Sequence, residues 1–448
     1  MFNRILIANR GEIAIRIIRG CKELGIQTVS IYSTADKNSL HVKLSDKSVC
    51  IGPPPPKKSY LNMDNIISAA IINKCDAIHP GYGFLAENPL FEEKCRENNI
   101  VFIGPPARVI SIAGNKSKAI EIMARNKIPT IAGSNGPVKD LRDAIKISRK
   151  IGYPVIIKAS YGGGGKGMRI CENEKDLVSS FDIARSESHS SFGIDEVYLE
   201  KYIHQPRHIE FQIISDNFGN IACIGERECS IQRRHQKLIE EAPAINLSQK
   251  TRNRMMESAI KAAQVIDYKN VGTIEFLVDQ DENFYFMEIN TRIQVEHPVT
   301  EEVTGIDLVK EQIKIASGEK ITHLSRCNNS AFGHAIEFRV NAEDPDNNFV
   351  PCPGKIIDYF LPGGPGIRVD THIHSNFEIS PFYDSLIAKL IVWGNDRKEA
   401  LDRAARALNE FIIEGIKTTI PFYQKILTNQ NFRLGKIHTH FIEEEMGV

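Results

Sequence analysis

Over the first 113 positions, short apolar runs alternate with apolar residues at helical spacing, and few folds accommodate that pattern. RILIA (4–8) is strand-like. Ile13, Ile17, Cys21 and Leu24 then recur at helical spacing, and QTVSIY (27–32) follows Gly25 as a second strand. AIIN, DAIHPGYGF, a helical stretch near 89–98 and IVFIGP continue the alternation. Such a sequence predicts an α/β domain on a parallel sheet. From about residue 114 the pattern changes. Helical stretches at 116–126, 140–150 and 175–188 alternate with apolar strands such as PVIIKAS, VYLEKYI, HIEFQII and NIACIGE. Several of these show two-residue alternation, which predicts antiparallel sheet. From Ala331 the chain is β-rich, with many Pro and Gly turns and a helix at 397–410. The expected class is α/β (α+β overall), in three domains at 1–113, 114–330 and 331–448.

At 448 residues the chain is too long for one core, which agrees with several domains. Lys and Arg together number 56, as do Asp and Glu, so no charge excess marks a nucleic-acid or membrane-surface binder. No window approaches the roughly 18 unbroken apolar residues of a spanning helix. Neither nucleic acid nor membrane is an expected partner. Met1 runs almost straight into RILIA, leaving no room for a leader peptide in this sequence. The nine Cys form no CxxC, which argues against a disulfide scaffold or structural zinc and fits a reducing compartment. PPPP at 53–56 predicts a stiff connection. The N-terminal fold is expected to be Rossmann-like, yet Ala8-Asn9-Arg10-Gly11 supplies one glycine where a dinucleotide loop needs three.

KASYGGGGKGM (158–168) follows the strand PVIIK. Four consecutive glycines allow a hairpin whose N–H groups close over phosphate oxygens, with Lys158 and Lys166 supplying positive charge. A plain flexible turn is the alternative. Lys116, opening a helix, reads by itself as a surface lysine. EKYI (200–203) offers an acceptor, a donor and an aliphatic cover for a base edge, or simply a sheet end.

TIEFLV and FYFMEIN flank DQDEN. A two-residue loop at Asp281-Glu282 pairs Gln280 with Asn283 and brings Glu275 opposite Glu288. Two carboxylates ~5 Å apart repel by ~3 kcal/mol at an effective dielectric near 20. Glu275, Glu288 and Asn290 are hard oxygen ligands suited to Mg²⁺ or Mn²⁺ carried by nucleotide phosphates. A solvated strand face is the alternative. Next come Arg292, Gln294 and Glu296, on one side if NTRIQVEHP is extended. Arg offers a fork for a small planar anion and Gln a donor. Glu suits that company if its task is to take the anion's proton, which points to bicarbonate; a surface Arg–Glu pair is the alternative. In RECSIQRRHQKLIEEAP, an extended backbone puts Arg233, His235 and Lys237 on one cationic face, or a solvated edge. His208 is most simply structural.

Six segments, IANRGEIAIRIIR, AIHPGYGFLAEN, KASYGGGGKGM, ECSIQRRHQK, MEINTRIQVEHPVTE and GHAIEFRVNAEDP, resemble the signature segments of biotin carboxylases, in the family's order and across the whole chain. The resemblance implies a Rossmann-like N-terminal domain, an ATP-grasp centre with a glycine-loop lid at about 131–203, and a β-rich C-terminal domain. It implies nucleotide contacts at Lys116, Lys158, Gly164, Gly165, Glu200, Lys201, Ile203, His208 and His235, besides Glu275 and Glu288. It implies metal ligands at Glu275, Glu288 and Asn290, two Mg²⁺ or Mn²⁺ ions with ATP, and a bicarbonate site at Lys237, Arg292, Gln294 and the Val295 backbone. Glu296 matches the base, and Tyr82 and Arg339 match positions near the biotin ring, with Arg339 open also to a structural pairing with Glu337 or Glu343.

The chemistry so implied is the first half-reaction of acetyl-CoA carboxylase, which leads to malonyl-CoA for fatty acid synthesis. The same half-reaction serves pyruvate, 2-oxoacid or other acyl-CoA carboxylases. No Met sits in the MKM motif that carries biotin in larger relatives, so biotin is expected on a separate carboxyl carrier protein, with carboxyltransferase subunits as further partners. Arg19 and Glu23 match homodimer contacts. The implied location is the bacterial cytoplasm or the plastid stroma. Tyr161 and Lys166 depart from the glycine-loop pattern, and Pro365 stands where relatives often carry an aromatic.

Overall fold

In a computed structural model, residues 1–134, 136–160, 168–326 and 331–448 are described. Strands β1 (Arg4–Ile7), β2 (Gln27–Ser33), β3 (Lys47–Gly52), β4 (Ala77–His79) and β5 (Val101–Phe102) form a parallel sheet in the order β3-β2-β1-β4-β5. The order reverses between β1 and β4, where open α/β sheets hold a crevice. Asn9 after β1 bridges the crevice by donating from Nδ2 to the carbonyls of Pro80 and Tyr82, 2.7 Å each. The helix Gly11–Glu23 buries Ile13, Ile17 and Cys21 against Leu308, Val309 and Ile313 of the helix Leu308–Ala316. The helical spacing in the sequence therefore marks a real buried face.

Strands β6 (Val155–Ala159), β7 (Arg169–Cys171) and β8 (Val197–Lys201) form a small antiparallel sheet in the order β7-β6-β8. The helices Leu141–Ile151 and Glu174–Phe192 cover it around a core of its own, which includes Val155, Ile157, Leu177 and Phe181. The segment 161–167, with Tyr161, Gly164, Gly165 and Lys166, lies outside the described residues.

The largest sheet has eight strands: β9 (Arg207–Ser215), β10 (Ile221–Arg233), β11 (Gln236–Ala242), β12 (Asn270–Val278), β13 (Phe284–Asn290), β14 (His334–Asn341), β15 (Ile367–Thr371) and β16 (Leu386–Gly394). Their order is β13-β12-β9-β10-β11-β14-β16-β15, antiparallel throughout. The strands after residue 331 thus continue the ladder begun by the central part of the chain. One face of β14 and β16 contributes Ile336, Phe338, Leu390 and Val392 to a core with the helix Arg397–Glu410. The other face carries Glu337, Arg339 and Lys389, all buried or half-buried. No helix among the described residues is long and apolar enough to cross a membrane.

Two local expectations are corrected. Residues 233–237 are not one extended run: Arg234 and His235 have φ of 49° and 64° and form the tight turn between β10 and β11. Two left-handed residues give the twist that a two-residue hairpin requires. Arg233 therefore turns away from Lys237 and stacks on Phe349, 4.4 Å from the ring centre. Likewise NTRIQVEHP leaves the extended conformation after Asn290 and turns into the helix His297–Thr304.

Candidate active site

A cleft of about 1230 Å³ opens between the small sheet, the large sheet and the β1/β4 crevice. β12 and β13 carry Glu275 and Glu288 to directly opposed positions. The hairpin does so by a route other than the expected one. Asp279 N–H donates to Asn283 O, and Glu282 has a φ of 59°, so the loop has three residues. That register alone would bring Met287 opposite Glu275. Instead Phe276 faces Phe286 and Glu275 faces Glu288, which leaves Met287 as the extra residue of a β-bulge. A second bulge lies in β11, where Ile231 faces Ile239 but Gln232 faces Lys237, leaving Leu238 over.

Glu275 is 1 % exposed. It accepts from His208 Nε2 at 2.6 Å, Gln294 Nε2 at 2.7 Å and Asn290 Nδ2 at 2.5 Å, and Lys237 Nζ lies 3.3 Å away. Burial alone would raise this carboxyl; Lys237 and His208 hold it well below the usual range. Glu288 pairs with Lys116 Nζ at 2.6 Å. Lys116 is thus no free surface lysine. Cations gathered on both carboxylates, with only oxygen ligands offered by Glu275, Glu288 and Asn290, make a donor set that fits a hard divalent ion.

Glu296 ends the loop after β13 and precedes the helix His297–Thr304. It is 1 % exposed and pairs with Lys237 Nζ at 2.7 Å and Arg339 Nη2 at 2.9 Å. Burial opposes its ionisation, but Lys237, Arg339 and Arg227 hold it well below the usual carboxylate range. Arg292 donates to Gln294 Oε1 and lies 3.0 Å from Glu87. Arg292, Gln294 and Glu296 converge through a turn instead of a strand. Arg339 pairs with Glu240 and Glu296, and with neither Glu337 nor Glu343. Tyr82 donates to Glu12 and lines the same cleft.

Three adjacent segments match the descriptions "Biotin carboxylase, N-terminal domain" (residues 1–110), "Carbamoyl-phosphate synthase L chain, ATP binding domain" (115–324) and "Biotin carboxylase C-terminal domain" (337–444). Biotin carboxylase of Nostoc sp. is 54 % identical over 443 residues, 99 % of each chain. The chain belongs to the biotin carboxylase family. A pyruvate carboxylase subunit from Methanothermobacter thermautotrophicus is 53 % identical over 99 % of this chain and 90 % of its own. Among solved structures, the biotin carboxylase domain dimer of Hydrogenobacter thermophilus 2-oxoglutarate carboxylase superposes with a TM-score of 0.96. It is 49 % identical over 100 % of this chain and 98 % of that one, and was crystallised with MgADP, ADP and bicarbonate. The mixed α/β architecture is therefore that of biotin carboxylases.

The nucleotide, metal, bicarbonate and biotin residues that the biotin carboxylase resemblance implies, other than Gly164 and Gly165 outside the described residues, all line the one cleft. Lys158 pairs with Glu200. Lys201 lines the cleft and donates from Nζ to the carbonyl of Tyr153 at 2.7 Å. Ile203 and His235 lie on the cleft wall. Several residues escaped the sequence reading. Arg227, fully buried, pairs with Glu210, which in turn pairs with Lys237 at 2.6 Å. Glu87 accepts from the Thr291 amide at 3.0 Å and from Arg292 Nε. Arg227 sits within ECSIQRRHQK's own strand, but nothing in its spacing marks a buried charge; Glu87 lies 204 residues from its partner.

Proposed function

We propose that this chain carboxylates the biotin of a separate carrier protein, using ATP and bicarbonate. The observation that carries the reading is the placing of Glu296 in contact with both Lys237 and Arg339, beside Arg292 and Gln294, at one end of the cleft that holds Glu275 and Glu288. Lys116, Lys158, Glu200, Lys201, Ile203, His208 and His235 line the nucleotide part, and Gly164 and Gly165, outside the described residues, complete the proposed nucleotide set. Glu275, Glu288 and Asn290 would hold Mg²⁺ or Mn²⁺, which neutralises phosphate charge during transfer.

Lys237, Arg292, Gln294 and the Val295 backbone hold bicarbonate, and Glu296 takes its proton. A bound anion competes for Lys237 and so relieves the pull that depresses Glu296. The base gains proton affinity when its substrate arrives. Bicarbonate attacks the γ-phosphate, ADP leaves, and carboxyphosphate breaks to CO₂ and phosphate. The phosphate takes the biotin N1′ proton, and Arg339 stabilises the resulting enolate as it attacks CO₂, with Tyr82 beside the ring. A ligase joining carboxylate to amine has no need of Glu296.

The wider reading has domains at 1–113, 114–330 and 331–448, a lid at about 131–203, and a homodimer through Arg19 and Glu23. It adds a biotin carboxyl carrier and carboxyltransferase subunits in bacterial cytoplasm or plastid stroma, with acetyl-CoA carboxylase as the parent complex. The pyruvate and 2-oxoglutarate carboxylase relatives favour a second reading of the final acceptor alone. Bicarbonate-dependent ATP cleavage, measured with and without a biotinylated carrier, tests the core. No dependence on bicarbonate would overturn it. Reconstitution with carboxyltransferase subunits, offering acetyl-CoA or pyruvate, decides the acceptor.

A further inference from the structure

Lys389 is fully buried in β16, opposite Arg339 on one side and Asp370 on the other. A lysine with no exposure is rare unless it is paired. Its Nζ donates to the carbonyl of Val295 at 2.9 Å and lies 3.2 Å from Glu12 Oε1. Glu12, also buried, accepts from Tyr82. These contacts make an unbroken chain from Tyr82, at the switch point of the N-terminal sheet, through Glu12 and Lys389 to the Val295 carbonyl. That carbonyl and the Glu296 N–H belong to one planar peptide, so fixing the first fixes the plane from which the Glu296 side chain departs. Val295 lies in an irregular segment between β13 and the following helix, where no ladder partner holds it.

We propose that Lys389 is a positioning residue of the anion site: it sets the Val295–Glu296 peptide and ties it through Glu12 to Tyr82. The inference rests on the bicarbonate reading above. It gives the chain a physical link between the two substrates' ends of the cleft, made by a residue that touches neither substrate. The duller role is charge balance, because Glu12, Asp370 and Glu337 all surround the ammonium, and the Glu337 oxygens have no hydrogen-bond partner among the described residues.

The test compares wild type with Lys389→Met and with the double variant Glu12→Gln/Lys389→Met, which removes the facing charge along with the ammonium. Bicarbonate-dependent ATP cleavage, MgADP binding by calorimetry and melting temperature are measured for all three. Positioning predicts a bicarbonate KM raised by about tenfold or more in both variants, with the ATP KM and MgADP affinity within about twofold of wild type. A wild-type bicarbonate KM in either variant overturns it. So does loss of MgADP binding, or a uniform fall in kcat with unchanged KM values and a lowered melting temperature in Lys389→Met that the double variant restores; each leaves only charge balance. A wild type whose ATP cleavage ignores bicarbonate overturns the function reading itself, and that result is read before any variant is made.

Discussion

Glu296 stands within 3 Å of two cations and is almost completely buried, and both conditions decide what it can do. A carboxylate so surrounded stays ionised and does not drift to a neutral form. Glu296→Gln keeps the size and part of the hydrogen bonding but cannot take a proton. Carboxylation by that variant should fall about 10²-fold or more, measured as kcat with saturating ATP, a loss typical of a missing general base. Arg339 bears on a different step. Its guanidinium is shared between Glu240 and Glu296 before any enolate forms. In Arg339→Ala, bicarbonate-dependent ATP cleavage should persist while carboxybiotin formation collapses, and parallel phosphate-release and carboxylation assays would show the two separating. Equal loss of both, with a lowered melting temperature, would make Arg339 structural. At this scale the sequence was informative about residue types gathered in short segments, because the segment itself keeps them together. It was silent on Lys389, Arg227, Glu87 and Glu12, whose partners are distant in the chain and whose motifs look like ordinary strand or helix.

The β12–β13 hairpin shows how an element can be legible for an incomplete reason. A two-residue loop would have opposed Glu275 and Glu288 directly. The actual three-residue loop, set by Asp279 accepting from the amides of Asp281 and Asn283, moves the register by one, and the bulge at Met287 moves it back. Neither departure is visible from alternation, because Met is as acceptable in a strand as in a bulge. The two cationic and anionic runs assumed to be extended failed differently. Tight turns at Arg234-His235 and after Asn290 broke them, with no glycine to announce the first. The helix 397–410 and the N-terminal alternation were readable because their buried faces repeat over many residues. The hairpin carries its own prediction. Glu288 is partly exposed and among the described residues pairs only with Lys116, so Glu288→Gln should leave the melting temperature within a few degrees of wild type while Mg²⁺-ATP turnover is lost. Wild-type turnover with an unchanged Mg²⁺ dependence would remove Glu288 from the metal site.

Across the whole molecule, the ladder from β13 to β15 joins in one sheet the strands that carry Glu275 and Glu288, Lys237 and Arg339. Glu241 in β11 shows how its second half is fastened. It pairs with Arg397 at 2.7 Å and His334 at 2.8 Å. Burial would raise its carboxyl, but Arg397 and His334 bring it down to about 2. A carboxyl held lower in the folded state than in the unfolded one stabilises the fold above the unfolded pKa and loses that contribution as the pH falls through the folded one. The stability gap between wild type and Glu241→Gln, from urea titrations, should be on the order of 3 kcal/mol near neutrality. It should narrow as the pH falls from about 5 towards 2; a gap that widens across that range would refute the pairing. The β11–β14 pairing has a further consequence for how such chains diverge. Lys237 lies on one strand of that pair and Arg339 on the other, and Glu240 stands opposite Glu337. Were residues 331–448 exchanged for those of a relative, the graft would have to match a hydrogen-bond register and not merely a docking surface. A slip of one rung would turn the guanidinium of Arg339 into the apolar core behind the sheet. Chimeras cut at this junction should therefore be either fully active or inert, with little gradation between them.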